Sequence, residues 1–154
     1  NITTVGVLLL RDPVDRFLSD FRYRQKMARS NPYHLTKIPQ LRNAIDSLST
    51  DAFEGRDQGY KNGLNIIQRC FEKDCSFVSL YEDLFCQRKM NRLCEITGLH
   101  SHEGNFVQAI NSTSPEAEAT KAEINELRSF FQPAYDAAEA YFGREYLKTN
   151  WRNF

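Results

Sequence analysis

An arginine near the start of the chain stands where an anion-binding residue would be expected. Arg11 follows the apolar run Val5 to Leu10, a pattern that predicts a strand buried on both faces. Asp12 and Pro13 then predict the N-cap and the first turn of a helix. A cation at the carboxyl end of a parallel strand, facing a helix N-terminus, forms a natural anion site.

Ser19 extends this predicted site along the helix. It belongs to a polar face whose members recur at three- and four-residue spacing: Asp15, Ser19, Arg22, Lys26 and Arg29. Ser19 is then near enough to the first turns to join Arg11 around one phosphate-sized ligand. The alternative is that Ser19 is an ordinary solvated serine and that Arg11 pairs with Asp15.

The sequence LLLRDPVDRFLSDFRY, residues 8–23, resembles the 3′-phosphate-binding motif of sulfotransferases that use 3′-phosphoadenosine 5′-phosphosulfate (PAPS). In that family a strand ends in an arginine, often within RDP, and a serine follows eight positions later. Both residues bind the ribose 3′-phosphate of the donor. Arg11 and Ser19 have this spacing, and the form of the motif is most similar to the carbohydrate-sulfating, heparan-sulfate-like and related bacterial branches.

A second resemblance covers residues 59–84, GYKNGLNIIQRCFEKDCSFVSLYEDL. The family has an aromatic-containing helix, a strand that ends in a phrase such as YEDL, and a helix that ends near Gly-Leu. This chain has all three in order, with TGL at residues 97–99. The resemblance implies that Tyr60 contacts the adenine of the donor. The alternative makes Tyr60 a core residue of its own helix.

The segment ELRSFFQPAYDAAEAYFGREYLKTNW, residues 126–151, resembles the closing part of carbohydrate sulfotransferases. There a helix ends in an aromatic-rich FxxP and is followed by another helix, a Gly-Arg and a terminal tryptophan. Gly143 and Trp151 fit that pattern. The alternative is a pair of packed C-terminal helices with no further role.

Helices and strands alternate along the chain in an order that predicts a parallel sheet. After the opening strand and helix we expect helices at about 39–49 and 57–72, a strand at 76–81, a helix capped by Asp83 and ended by Gly98, and a helix from Ser114 to Pro133. The fold class is therefore α/β. The resemblance implies one domain over residues 1–154, with the three-layer sandwich of the P-loop NTPase-like sulfotransferase fold, incomplete at its N-terminus and helical in its C-terminal half.

Composition restricts the partners of this chain. Its 154 residues suffice for one core, and 20 basic against 20 acidic residues give no net charge that would favour nucleic acid or an anionic membrane. No apolar run approaches the roughly 20 residues that span a bilayer. Cys70 and Cys75 flank a predicted turn and could form a disulfide, whereas no cysteine or histidine spacing predicts a zinc site.

The resemblance implies transfer of a sulfuryl group from PAPS to a hydroxyl or amine of an acceptor. The leading hypothesis for the acceptor is a glycan, and the resemblance implies no metal. It also implies that the 5′-phosphosulfate loop and the catalytic lysine precede Asn1, so we assign no catalytic residue. A Golgi-lumen location is implied for a eukaryotic protein and a cytoplasmic one for a bacterial protein. Two alternatives stay open: a catalytically silent nucleotide- or glycan-binding module, and an unrelated α/β nucleotide-binding protein such as a kinase relative.

Overall fold

The computed structural model describes residues 4–30, 40–49, 54–101, 103–106 and 119–154. Within these ranges two strands and seven α-helices follow one another in the order β1-α1-α2-α3-β2-α4-α5-α6-α7. Their bounds are Gly6–Leu10 (β1), Pro13–Ser30 (α1), Leu41–Asp46 (α2), Glu54–Cys70 (α3), Ser76–Leu80 (β2), Gln87–Thr97 (α4), Lys121–Phe130 (α5), Gln132–Phe142 (α6) and Arg144–Asn150 (α7).

The two strands form a parallel pair. Their register runs from Gly6 opposite Ser76 to Leu10 opposite Leu80, so both strands end at the same edge of the sheet. The backbone N–H of Tyr81 continues the pairing by donating to the carbonyl oxygen of Leu10 at 2.6 Å. The described part of the chain is thus mixed α/β, mostly helical, with a small parallel sheet, which confirms the predicted fold class at that level.

The hydrophobic core lies on one face of this sheet. Leu10 and Leu80 are almost completely buried there, and Leu8 and Val78 pack against the same cluster. Helices α3 and α6 pack on each other and supply much of the remainder. The buried side chains from the helices include Tyr60, Leu64, Leu127, Ala134, Tyr135, Ala138 and Leu147.

The prediction that the first strand is buried on both faces is wrong. Val7 and Leu9 are 48% and 42% exposed, whereas their partners on β2, Phe77 and Ser79, are buried. The difference arises because α4 packs against β2, while β1 forms one side of a sheet with two described strands. An unbroken apolar run therefore does not by itself require that both faces of a strand be covered.

The beginning of α1 confirms the predicted cap. The Oδ1 atom of Asp12 accepts hydrogen bonds from the backbone N–H groups of Val14, at 2.9 Å, and Asp15, at 3.2 Å. Pro13 occupies the first turn, where its missing N–H removes no helical hydrogen bond. The Asp12-Pro13 pair thus fixes where the chain turns from strand to helix, directly after Arg11.

Two other helix ends test the predicted caps. Gly98 ends α4 with a φ of 70°, in the left-handed region that glycine adopts at low cost, so this prediction is confirmed. Asp83 does not cap α4, because the helix begins only at Gln87. Ser114 lies outside the described residues, and the described helix α5 begins at Lys121.

The structure also shows the state of the cysteines and whether a described helix could cross a membrane. All four cysteines are free, including Cys70 and Cys75, which the sequence allowed to pair. Among the helices described, none combines the length and the apolar character needed to cross a membrane.

Candidate anion-binding site at the strand ends

The candidate site lies at the common carboxyl edge of β1 and β2. Arg11 leaves β1 at this edge, and Tyr81 and Glu82 leave β2 beside it. Because Asp12 caps α1 immediately after Arg11, the N-terminus of that helix opens at the same edge. Asp12 accepts from the N–H groups of Val14 and Asp15, so the positive charge that this edge offers to an anion is that of Arg11.

Arg11 keeps donor capacity that the protein does not use. Its side chain is 34% exposed, and its guanidinium carbon lies 5.1 Å from the centre of the Tyr81 ring. Its Nε atom lies 3.9 Å from Oε1 of Glu82, too far for a hydrogen bond. That Nε is buried and has no hydrogen-bond acceptor among the described residues.

Glu82 is the carboxylate beside Arg11. Its Oε1 accepts from the backbone N–H of Asp12 at 3.2 Å, and its Oε2 accepts from the indole N–H of Trp151 at 3.0 Å. Burial raises the pKa of Glu82 above its ordinary value, although these two donors and the charge of Arg11 act in the opposite direction. Glu82 therefore connects the strand ends with the C-terminal segment and partly balances Arg11.

Asp12 is fully buried and serves the fold. Besides capping α1, its Oδ1 accepts from the hydroxyl of Tyr135 at 2.9 Å, and its Oδ2 accepts from the backbone N–H of Asn153 at 2.9 Å. Burial and the charge of Asp12 together raise the pKa of Tyr135, so this phenol stays protonated and donates. Asp12 thus has no capacity left for a ligand.

Ser19 lies on α1, partly buried, six residues beyond Pro13. That separation is roughly 9 Å along the helix axis, and no hydrogen bond joins Arg11 to Ser19. One turn before Ser19, Asp15 accepts from the side-chain amide of Asn153 at 3.0 Å. The predicted alternative pair of Arg11 with Asp15 is therefore not formed, because Asp15 binds Asn153 and the carboxylate near Arg11 is that of Glu82.

Tyr60 lies next to Arg11 but inside the core. The residue is 4% exposed, and its ring stands edge-on to Trp151, with 6.4 Å between ring centres. Its hydroxyl donates to the backbone carbonyl of Arg11 at 2.5 Å, and burial raises its pKa. Tyr60 thus supports the backbone of the arginine, while its contact with adenine stays a prediction.

Sequence reasoning missed the neighbours that complete this site. Tyr81 and Glu82 could have been placed there, because parallel strands end at one edge and YEDL follows β2 as RDP follows β1. Asn153 carried no comparable signal, since nothing in its neighbourhood predicts a return to α1. Trp151 was recognised by resemblance, but not as a partner of Glu82.

Comparisons with protein-family models, with curated proteins and with solved structures find no match for this chain. The class of this protein therefore rests on its fold: over the described residues it is mixed α/β and mostly helical, with a small two-stranded parallel sheet.

Proposed function

We propose that this chain is the donor-binding part of a PAPS-dependent sulfotransferase domain. In this proposal Arg11 and Ser19 bind the 3′-phosphate of PAPS, and Tyr60 contacts the adenine. The observation that carries it is Arg11, a partly exposed arginine at the carboxyl edge of a parallel sheet whose buried Nε has no acceptor among the described residues. A phosphate at this edge would bind the guanidinium of Arg11, since Asp12 already accepts from the N–H groups that begin α1.

Arginine suits this ligand better than lysine would. Its planar guanidinium can donate two parallel hydrogen bonds to a phosphate, and charge-assisted bonds of this kind are short and strong. The Tyr81 ring limits the movement of the guanidinium, since a cation within about 6 Å of an aromatic ring centre is attracted to its face. The guanidinium of Arg11 is therefore held in place before a ligand arrives.

The adenine contact of Tyr60 requires a specific geometry. Because only 4% of the residue is exposed, a purine could reach the rim of the ring but could not stack on its face. A full stacking contact would require Trp151, which packs edge-on against Tyr60, to shift. Replacing Tyr60 by Phe would keep the ring and remove the hydrogen bond to the Arg11 carbonyl, which separates these two roles.

The three-layer sandwich of the P-loop NTPase-like sulfotransferase fold belongs to the same proposal. The core helices cover one face of the sheet, and the exposed Val7 and Leu9 mark the face against which a second helical layer would pack. In the proposed reaction the sulfuryl group leaves the phosphate oxygen of PAPS and bonds to a hydroxyl or amine of a glycan. The acceptor's proton passes to a base, and the leaving phosphate needs positive charge.

The test is a calorimetric titration of the protein with 3′-phosphoadenosine 5′-phosphate and with adenosine 5′-monophosphate, which lacks the 3′-phosphate. Wild-type protein should prefer the former by roughly tenfold or more, equal to about 1.4 kcal/mol. Arg11→Ala and Ser19→Ala should reduce this preference. Arg24→Ala is the control, because Arg24 is exposed on the same helix and pairs with Asp20 at 2.8 Å.

Two results would overturn the proposal. Equal affinities for the two nucleotides would show that the 3′-phosphate is not recognised. A preference that persists in Arg11→Ala would show that the phosphate binds elsewhere. Thermal unfolding of each variant accompanies the titrations, so that a loss of binding is not confused with a loss of folding.

A further inference from the structure

Glu82 lies beside Arg11 without a hydrogen bond to it. The Oε1 atom of Glu82 is 3.9 Å from Nε of Arg11, and the two side chains are 23% and 34% exposed. That Nε is buried and has no acceptor among the described residues. The carboxylate therefore attracts the guanidinium electrostatically but leaves one of its donors unused.

Other contacts hold both side chains in this arrangement. Glu82 accepts from the backbone N–H of Asp12 at 3.2 Å and from the indole N–H of Trp151 at 3.0 Å, so each of its oxygens is engaged. The guanidinium of Arg11 lies over the ring of Tyr81, 5.1 Å from its centre. Glu82 cannot approach the guanidinium without giving up a hydrogen bond, so its charge stays near the cation and does not occupy it.

An anion bound to Arg11 would lie close to the charge of Glu82. A sulfate or phosphate oxygen that accepts from Nε lies about 2.9 Å from that atom. Because Oε1 of Glu82 is 3.9 Å from the same atom, the two oxygens are at most roughly 7 Å apart. This separation is shorter than the Debye length at physiological salt, so the two negative charges repel each other.

We propose that Glu82 sets the affinity of Arg11 for a tetrahedral dianion, sulfate or phosphate: the ionised carboxylate weakens binding, and uptake of a proton by Glu82 strengthens it. The inference rests on the proposed function in that it takes Arg11 to bind an anion, but the anion need not belong to PAPS. Burial raises the pKa of Glu82, which brings the proton uptake closer to neutral pH, although the hydrogen bonds of Glu82 and the charge of Arg11 act in the opposite direction.

Several titratable groups surround Glu82. Arg11 follows β1 and is always charged, and Asp12, at the start of α1, uses both of its buried oxygens as hydrogen-bond acceptors. From α3, Tyr60 has a pKa raised by burial, so it stays protonated. Although burial opposes them, hydrogen bonds from α7 and α4 lower the pKa of Asp83, so Asp83 stays ionised where Glu82 titrates. The other titratable side chains that the described structure places at this edge are the phenols of Tyr81, Tyr135 and Tyr146 and the amine of Lys89.

The experiment titrates the protein with sulfate and follows the NMR signal of the Nε–H group of Arg11, which is assigned by its absence from Arg11→Lys. Sulfate remains a dianion throughout the pH series, so only the protein changes charge. At neutral pH, Glu82→Gln should bind sulfate roughly fivefold more tightly than wild type, equal to about 1 kcal/mol. Wild type should bind more tightly as the pH falls towards 4.5, and its affinity should approach that of Glu82→Gln.

Glu95→Gln is the matched control, because it removes an exposed carboxylate that pairs with Arg92 at 2.7 Å. Arg92 also lies 3.9 Å from Asp74, which precedes β2, so Glu95 is at the opposite end of that strand from Arg11. Its loss should leave sulfate binding and its pH dependence unchanged. Thermal unfolding accompanies each titration, and the pH series of wild type tests the inference even if Glu82→Gln folds poorly.

Three outcomes would overturn the inference: Glu82→Gln binds sulfate no more tightly than wild type, the wild-type affinity does not rise as the pH falls, or sulfate leaves the Arg11 signal unchanged in both proteins. The proposed function fails separately, when the protein does not prefer 3′-phosphoadenosine 5′-phosphate to adenosine 5′-monophosphate. If that preference is absent but sulfate binds Arg11 with an affinity that depends on Glu82, this inference stands and the proposed donor site falls. If the preference is present but Glu82→Gln keeps the wild-type affinity for sulfate, the inference falls and the donor site stands.

Discussion

Glu82 is partly buried and lies near the guanidinium of Arg11 without forming a hydrogen bond to it. Its two acceptor oxygens are taken by Asp12 and Trp151, and Arg11 remains 3.9 Å away. The desolvation of the carboxylate is therefore only partly offset, which is why its pKa is raised. The negative charge of Glu82 reduces the positive potential at Arg11. Protonation of Glu82 should therefore strengthen the binding of an anion there.

The raised pKa of Glu82 predicts how stability depends on pH. Its contribution is fully present below the unfolded value of 4.5 and is lost as the pH rises through the folded pKa, because the folded protein then holds a proton that the unfolded chain has released. Glu82→Gln cannot titrate. The free energy of unfolding of wild type, minus that of Glu82→Gln, should therefore fall as the pH rises above 4.5, as measured by urea unfolding at several pH values.

Glu145→Gln provides a control of opposite sign. A hydrogen bond and the charge of Lys148 lower the pKa of Glu145, so its contribution is present above pH 4.5 and is lost as the pH falls. The effect is small, because the pair is exposed to solvent. A Glu82 difference that stays constant with pH would contradict the assignment of this carboxyl as the desolvated one.

At the scale of elements, β1 has two unlike faces. Leu10 is 4% exposed and belongs to the core, whereas Leu9 is 42% exposed on the opposite face. A parallel strand is normally covered on both faces, so Val7 and Leu9 leave an apolar surface that is unusual for this kind of sheet. Burial on the core face and pairing with β2 together fix the position of β1 in the described fold.

This difference predicts unequal costs for the same substitution. Leu10→Ala should lower the free energy of unfolding by about 2–5 kcal/mol, because it removes a buried side chain and leaves a cavity. Leu9→Ala should cost roughly 1 kcal/mol or less, since its side chain already contacts water. Chemical denaturation measures both, and equal losses would indicate that the exposed face is covered in solution.

Local chemistry explains which elements could be predicted from the sequence. The Asp12-Pro13 start, the Gly98 end and the parallel pairing depend on residues close together in sequence or on the order of elements, and each was predicted. The role of Asp83 was not, because Tyr146, 63 residues away in the chain, binds it with Lys89. Although burial acts in the opposite direction, these two partners lower its pKa.

In the candidate site, too, the residues set by local sequence could be predicted and those set by long-range contacts could not. Arg11 and the start of α1 followed from the strand-to-helix pattern, which is local. Ser19 was placed on α1, but its direct convergence with Arg11 does not appear in the described structure. Tyr60 shows a further limit, because an aromatic on a helix stripe has the same pattern whether it packs in the core or contacts a ligand.

At the scale of the whole molecule, Asp12 connects distant parts of the chain. Its partners Tyr135 and Asn153 are 123 and 141 residues away, and both reach the same buried carboxylate. The start of α1, helix α6 and the C-terminal segment therefore depend on one side chain. Removal of the Asp12 carboxylate should therefore break all of these hydrogen bonds together.

We expect Asp12→Ala to reduce the free energy of unfolding by roughly 3 kcal/mol or more, from the lost helix cap and from buried donors left without an acceptor. Asp20→Ala is the matched control on the same helix, because its exposed pair with Arg24 contributes about 1 kcal/mol or less. Urea unfolding followed by circular dichroism measures both variants. Similar losses for the two would contradict the central role of Asp12.

Trp151 gives the molecule an internal optical reporter. It is the single tryptophan of the chain, is 2% exposed and donates its indole N–H to Glu82 beside Arg11. Indole emission is sensitive to the charge and polarity of its surroundings. An anion that draws Arg11 away from Glu82 should therefore change the tryptophan fluorescence, so occupation of the candidate site can be followed in unlabelled protein.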